Sequence, residues 1–180
     1  PENMEGLNFS SPLNITIENT EGKTKEYKVL VYAFTGLPVM YINTENDTEI
    51  TSKEEYVNAH LRIVEDIYTR SGEIFESDVT IKGRGNSTWS LPKKPYALKF
   101  DKKTSLLGEP KDKSWVLLAN YTDKTNLRNE ASFFMGRISN LEWTPRTHFV
   151  ELFMNEVYCG TYQLCEKIKI ADSRVNITDD

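Results

Sequence analysis

The sequence predicts an α+β protein, with a mixed, mainly antiparallel sheet and one long helix packed on it. Two observations support this fold class. From Pro38 onward, apolar and polar residues alternate with the period of a strand, and only residues 123–139 repeat their apolar residues at helical spacing. With 180 residues, 38% of them hydrophobic and 27% charged, the chain is long enough for one sizeable core.

Residues 1–36 are predicted to form an N-terminal β-hairpin, separate from a main domain of residues 37–180. Apolar and polar residues alternate in residues 13–17, which predicts a first strand. Residues 20–23 have the composition of a turn, and residues 27–32 are predicted to return as a second strand. We interpret this hairpin as the end of a preceding β-module. The alternative is a strand pair added to the main sheet.

The main sheet is predicted from short stretches with strand-like patterns. The predicted strands are residues 39–42, 57–63, 75–81, 95–100, 115–119, 149–154 and 157–164. Ser71–Glu73 is predicted to be the turn between the second and third of these strands. The unbroken apolar run at residues 115–119 indicates a central strand covered on both faces. Asn155 and Glu156 are predicted to form the turn of a tight hairpin.

One long helix is predicted from Asp123 to Ser139. The side chain of Asp123 can cap its N-terminus by accepting a hydrogen bond from a free backbone N–H group. The apolar residues at helical spacing, which we expect to face the sheet, are Leu127, Ala131, Phe134 and Ile138.

Charge and hydropathy argue against two classes of partner. The net charge of −5 disfavours general affinity for nucleic acid. No stretch approaches the roughly 18 apolar residues of a transmembrane helix, so no membrane span is predicted. Cys159 and Cys165 lie on one predicted strand at a separation of roughly 20 Å, too far for a disulfide, and they lack the spacing of metal ligands.

Basic residues nevertheless crowd into one short stretch of this acidic chain. They are Lys82, Arg84, Lys93, Lys94 and Lys99. The simplest explanation is a strand edge protected by solvated lysines. A second explanation is a site for an anionic ligand, and the residues around Arg84 bear on it.

Two glycines flank Arg84 at the end of a predicted strand. Glycine lets the backbone turn sharply and approach a ligand closely. The planar guanidinium of Arg84 can bind phosphate oxygens, and Asn86, Ser87 and Thr88 add short polar side chains. The alternative is a tight turn in which the glycines only supply positive φ angles.

The following strand places a lysine beside a small residue. Strand alternation puts Ala97 and Lys99 on one face and Tyr96, Leu98 and Phe100 on the other. Protein kinases use this arrangement, in which the lysine holds phosphates and the small residue admits adenine. Arg84 and Lys99 are therefore expected to share one concave face, with Ser87 at its rim. Glu130 is a candidate carboxylate partner for the lysine, with an exposed helix carboxylate as the alternative.

These motifs together resemble the CotH (spore coat protein H-like) kinase family. The matching residues are Gly83–Trp89, Lys93–Tyr96, Lys99, Leu107–Gly108, Trp115–Asn120, Asp123, Leu127–Asn129 and Asn155–Glu166. The resemblance extends from about Leu37 to Val175. It implies the nucleotide lobe of an atypical Ser/Thr protein kinase that acts on extracytoplasmic proteins, in a secreted or cell-surface location. The implied cofactors are ATP and Mg²⁺ or Mn²⁺.

Mapped by motif, the resemblance implies which residues bind the nucleotide. Arg84, Gly85, Asn86 and Ser87 fall in the loop that faces the nucleotide, and Lys99 is the phosphate-binding lysine, with Lys94 as the alternative. Glu166, at the end of the second hairpin strand, falls near the chain connection that borders the adenine-binding side of the site. The role of the matching pair Arg128-Asn129 is not assigned, although it can brace the helix.

The sequence also departs from the family pattern. The family's later Asn-x-Asp and Trp-Asp-Phe-Asp-like elements, which supply catalytic and metal-binding carboxylates, find no match here. We therefore expect a fragment of the kinase domain that contains no catalytic or metal-binding residues, requires no cofactor, is inactive alone, and can form an oligomer through its truncated face. The alternative is a surface binding or adhesion module. Candidates for its contact surface are the aromatic residues Tyr121, Trp143, Tyr158 and Tyr162, with core packing as the alternative for most of them.

Overall fold

The computed structural model of the protein describes residues 13–29, 31, 35–65 and 74–177. They belong to two compact units, and the boundary between the units along the chain falls between Thr35 and Gly36. In the first unit, strands β1 (Leu13–Glu18) and β2 (Thr24–Val29) pair antiparallel. The turn between them is held by the Asn19 carboxamide oxygen, which accepts hydrogen bonds from the backbone of Glu21 and Lys23. Whether this hairpin ends a preceding β-module stays a prediction, and the hairpin's predicted end at residues 30 and 32–34 lies outside the described residues.

The second unit is a closed β-barrel. Its strands are β3 (Val39–Thr44), β4 (Val57–Val64), β5 (Ile74–Gly83), β6 (Tyr96–Thr104), β7 (Asp112–Leu118), β8 (Thr147–Met154) and β9 (Val157–Glu166). The strand order is β3-β4-β5-β6-β7-β9-β8, and β8 closes the barrel by pairing with β3. This closing pair is parallel, whereas the other neighbours are antiparallel.

Alternate residues of each strand fill the barrel. The buried residues that form the core include Met40, Ile42, Leu61, Ile63, Ile81, Leu98, Phe100, Trp115, Leu117, Val150, Leu152 and Leu164. Because side chains alternate across a strand, the residues between them face outward. The predicted alternation at residues 96–100 follows this pattern: Leu98 and Phe100 are buried, while Lys99 is exposed.

The predicted hairpin around Asn155-Glu156 is confirmed. Strands β8 and β9 pair directly on either side of it, with Met154 opposite Val157. Asn155 and Glu156 both have positive φ angles, 48° and 64°. Positive φ at both central residues is typical of the type I′ turn, whose twist matches that of the flanking strands. The other predicted turn, Ser71–Glu73, lies outside the described residues.

The predicted fold class is wrong in two respects. The sheet is not open but closes into a barrel, because β3 pairs with the distant β8. The helix is not long: α1 (Arg128–Ile138) has 11 residues. Asp123 explains the late start, since its carboxylate accepts hydrogen bonds from the backbone of Thr125 and then of Arg128, which holds the intervening residues in turns.

The buried face of α1 also differs from the predicted stripe. Leu127, Phe134 and Ile138 are 58%, 53% and 62% exposed. Instead, Glu130 hydrogen-bonds to strands β8 and β9, and Gly136 is the buried helical residue. A Cβ atom at Gly136 would lie 2.6 Å from Thr144 Oγ1, so only glycine allows this close approach.

Candidate functional site

A cleft of about 510 Å³ opens on the outer surface of the barrel, and we call it the basic cleft. Its floor is a row of outward-facing residues on four neighbouring strands. Lys82 lies opposite Ala97, Ala97 opposite Val116, and Val116 opposite Cys165. Leu118 and Phe133 extend the apolar part of this floor. The cleft therefore combines a small-residue apolar surface with a lysine at one end.

Charged groups surround this floor. The basic residues that line the cleft are Lys53, Lys82, Arg84 and Lys167, and the acidic ones are Glu54 and Glu166. Glu166 does not leave its charge free, because it pairs with Arg146 and with Arg174. In a chain of net charge −5, this is a local concentration of positive charge.

The loop that carries Arg84 is tightly packed. A Cβ atom at Gly83 would lie 2.4 Å from the Trp89 ring, and one at Gly85 would lie 2.1 Å from Thr88 Oγ1. Gly85 also has a φ of +90°, which favours glycine. The Arg84 backbone N–H donates to the Pro95 carbonyl. Positive φ is thus present at Gly85, as expected of a tight turn, and the close contacts of both glycines are with side chains of the loop itself.

The Arg84 side chain has unused hydrogen-bonding capacity. Among the described residues, its guanidinium makes no hydrogen bond or ion pair. Burial lowers the pKa of Arg84, while the nearby Cys165 acts in the opposite direction. A half-buried guanidinium without a partner is suited to an anion, because desolvation strengthens charge-assisted hydrogen bonds.

Lys99 and Arg84 line different clefts, contrary to the expectation that they share one. Lys99 lines a cleft of about 460 Å³ together with Glu45, Asp78 and Asp101. Lys99 nevertheless approaches the basic cleft, because the ring centroid of Tyr56, which lines that cleft, is 5.8 Å from Lys99 Nζ and 4.8 Å from Lys82 Nζ. Lys82 is the cross-strand neighbour of Ala97, whereas Lys99 lies two residues further along the same strand. The pairing of β5 with β6, which local sequence does not reveal, identifies Lys82.

The other residues mapped to the nucleotide loop lie away from the cleft floor. Asn86 and Ser87 are exposed at the start of a 3₁₀ turn, Ser87–Ser90, and do not line the basic cleft, whereas Gly85 does. Lys94 donates to the Trp89 carbonyl at 2.8 Å, and its Nζ lies 5.3 Å from the Trp89 ring centroid. Lys94 therefore braces the loop.

Glu130 is engaged with the barrel and not with Lys99. Its carboxylate accepts hydrogen bonds from Thr147, Gln163 and Arg137. Burial alone would raise the pKa of Glu130, but these hydrogen bonds and the Arg137 charge hold it below the ordinary value. Glu130 thus anchors α1 to β8 and β9.

The pair Arg128-Asn129 connects the start of α1 to the barrel. The Asn129 carboxamide donates to Asn120 at 2.9 Å, and Asn120 donates to Gln163 at 3.1 Å. Arg128 Nε lies 3.8 Å from Asp123 Oδ1. Asn129 thus makes the bracing contact considered for this pair, and Arg128 extends towards solvent with its side chain 77% exposed.

The sequence profile of the CotH kinase protein family matches residues 81–180. This match covers more than half of the chain. The chain belongs to the CotH kinase family. The match begins at Ile81, within β5, and so includes the loop of Arg84, the floor of the basic cleft and α1, while β3 and β4 precede it. No curated protein matches the chain.

Two further findings concern metals and membranes. Within the part of the chain that the structure describes, no group of three or more His, Cys, Asp or Glu side chains is placed to hold a metal ion. The same residues include no helix with the length and apolar character needed to cross a membrane.

Proposed function

We propose that the basic cleft binds ATP, as the ATP-binding portion of a CotH-like atypical Ser/Thr protein kinase that acts on extracytoplasmic proteins. The observation that carries this proposal is the row Lys82–Ala97–Val116–Cys165 beside Arg84. Membership of the CotH family supports the kinase-like assignment. It also favours a place in a spore coat or elsewhere outside the cytoplasm.

The chemistry of the cleft fits the two parts of a nucleotide. Ligand sites are largely apolar with a few well-placed polar groups, and their volumes are about 300–1,000 Å³. A flat base can lie against Ala97, whose small side chain is partly exposed, while Val116 and Cys165 form the buried part of the floor, 6% and 4% exposed. Arg84 supplies positive charge for phosphate, and its guanidinium can make paired hydrogen bonds to phosphate oxygens.

A divalent cation, Mg²⁺ or Mn²⁺, belongs to the proposed activity because it neutralises phosphate charge during transfer. The described residues do not fit such an ion, since they offer no suitable ligand set. We therefore assign nucleotide binding to these residues and derive no phosphoryl-transfer step from them. Phosphorylation of a protein substrate by this chain alone is not expected.

Isothermal titration calorimetry with ATP tests the proposal. Ala97→Phe is expected to fill the floor and weaken ATP binding at least about tenfold, since a base and a phenyl ring cannot share the space. Arg84→Met is expected to weaken ATP binding as well. Lys113→Met is the matched control, because Lys113 is exposed on β7 and does not line the cleft. Unchanged ATP affinity in Ala97→Phe would contradict the proposal.

A surface binding module without catalysis is the second candidate function. The apolar side chains exposed on and just beyond α1 favour it: Leu127, Phe134, Met135, Ile138 and Leu141. The aromatic residues first considered for such a surface give mixed support. Tyr162 is buried in the core, whereas Tyr121 is 49% exposed. Absence of ATP binding to the folded protein would favour this second function.

A further inference from the structure

A second cleft, of about 300 Å³, adjoins the basic cleft, and we call it the loop cleft. Arg84 and Leu118 line both clefts. The loop cleft lies between the Arg84 loop, the end of β7 and the first turn of α1. A ligand that extends past Arg84 from the basic cleft would therefore enter it.

Three cationic side chains line the loop cleft: Arg84, Lys93 and Arg128. Lys93 is held in position, since its Nζ donates to the Thr161 carbonyl and lies 4.4 Å from the Tyr162 ring centroid. An ammonium group has three N–H donors, so this contact leaves donors for a ligand. Arg128 lies at the outer side, where its exposed side chain can move towards a ligand.

The one carboxylate among the lining residues is already engaged. Asp123 accepts hydrogen bonds from the backbone of Thr125 and Arg128 and from the Thr125 hydroxyl, at 3.1, 2.9 and 2.7 Å. These contacts tie its oxygens to its own loop. The loop cleft therefore retains a positive balance of charge.

The cleft of Lys99 has the opposite character. Glu45, Asp78 and Asp101 line it together with Lys99. Three carboxylates around one lysine repel a polyphosphate, because like charges within a Debye length of about 10 Å are only partly screened. Phosphates are thus favoured in the loop cleft over the cleft of Lys99.

We infer that the loop cleft binds the phosphate chain of the nucleotide, with Arg84 between phosphates and base, and that Lys99 takes no part. This inference rests on the proposed function, since it requires the base in the basic cleft. It assigns phosphate binding to Lys93 and Arg128, neither of which was mapped to the nucleotide from the sequence. The substrate class is a nucleoside di- or triphosphate.

Calorimetry with adenosine, ADP and ATP tests this orientation. In the unmodified protein, ATP is expected to bind at least about tenfold more tightly than adenosine. Lys93→Met and Arg128→Gln are each expected to remove most of that difference while adenosine affinity stays unchanged. Lys99→Met is the matched control and is expected to change ATP affinity less than about twofold. Because Arg128 is an exposed residue, its substitution does not endanger folding, and thermal melts verify this for every variant.

The outcomes separate the two proposals. If adenosine and ATP bind equally, the basic cleft retains its assignment and the phosphate assignment is overturned. Loss of ATP affinity in Lys99→Met, with Arg128→Gln unaffected, overturns the orientation. If neither adenosine nor ATP binds the folded protein, the proposed function and this inference fail together.

Discussion

Glu166 and Arg174 form an ion pair in which both side chains are 0% exposed. Arg174 comes from the chain that follows β9, and its guanidinium lies 5.1 Å from the ring centroid of the core residue Trp115. Arg146 also donates to Glu166, from Nε at 3.1 Å. The last residue of β9 is thereby tied to both segments that flank the β8–β9 hairpin, next to the floor of the basic cleft.

Removal of one partner of this pair is expected to destabilise the protein strongly. Arg174→Ala should lower the free energy of unfolding by about 3–5 kcal/mol, because it leaves the Glu166 carboxylate buried with less compensation. Urea denaturation followed by tryptophan fluorescence measures the change. The double variant Arg174→Met with Glu166→Met is expected to recover part of the loss, since it buries no unpaired charge. If Arg174→Ala lowers the free energy of unfolding by less than about 1 kcal/mol, the Glu166–Arg174 ion pair is not important for stability and the prediction is wrong.

Glu130 is expected to make the stability of the protein depend on pH. Its pKa is lowered below the ordinary value of 4.5, so its contribution is present above that value and is lost as pH falls through the folded-state pKa. Glu130→Gln should therefore cost about 1–3 kcal/mol near pH 7 and less near pH 3. Urea denaturation at both pH values tests this. Glu142→Gln, at an exposed position, should show no such difference.

Gly85 is expected to tolerate no side chain, because an added Cβ atom would collide with Thr88 and because its φ angle is positive. Gly85→Ala combines a φ of +90° with a Cβ atom 2.1 Å from Thr88 Oγ1. Gly108 is a matched control, since it has a φ of +79° and nothing within 4 Å of its Cβ position. Gly108→Ala should cost about 1 kcal/mol for the backbone alone. Gly85→Ala should cost more in thermal denaturation and also weaken ATP binding, and equal costs would contradict the close packing of the loop.

The exposed apolar face of α1 is expected to drive self-association. Phe134 and Ile138 are 53% and 62% exposed on this short helix, and contiguous exposed apolar surface usually marks an interaction site. Light scattering should show an average mass that rises with concentration. The double substitution Phe134→Ser with Ile138→Ser should abolish the rise, whereas Ile74→Ser, at a residue 55% exposed on β5, should not. A monomeric unmodified protein at all concentrations would contradict this prediction.

Local sequence was sufficient where short-range chemistry decides the structure. Asn155-Glu156 predicted its hairpin because two adjacent residues set the turn. Gly83 and Gly85 predicted a sharp loop because glycine alone fits there. The family resemblance rested on the same kind of local motif, and the profile match over residues 81–180 agrees with it.

Tertiary structure decided the rest, because strand partners and helix faces depend on distant residues. Barrel closure requires β3 to pair with β8, and period-two alternation is the same in an open sheet and in a barrel. The buried face of α1 is set by Thr147, Gln163 and Thr144, so the apolar stripe that suggested a buried helix faces solvent instead. Strand register likewise makes Lys82 the cross-strand neighbour of Ala97, while Lys99 lines a cleft with carboxylates. The spacing of the lysines along the chain does not predict these different surroundings.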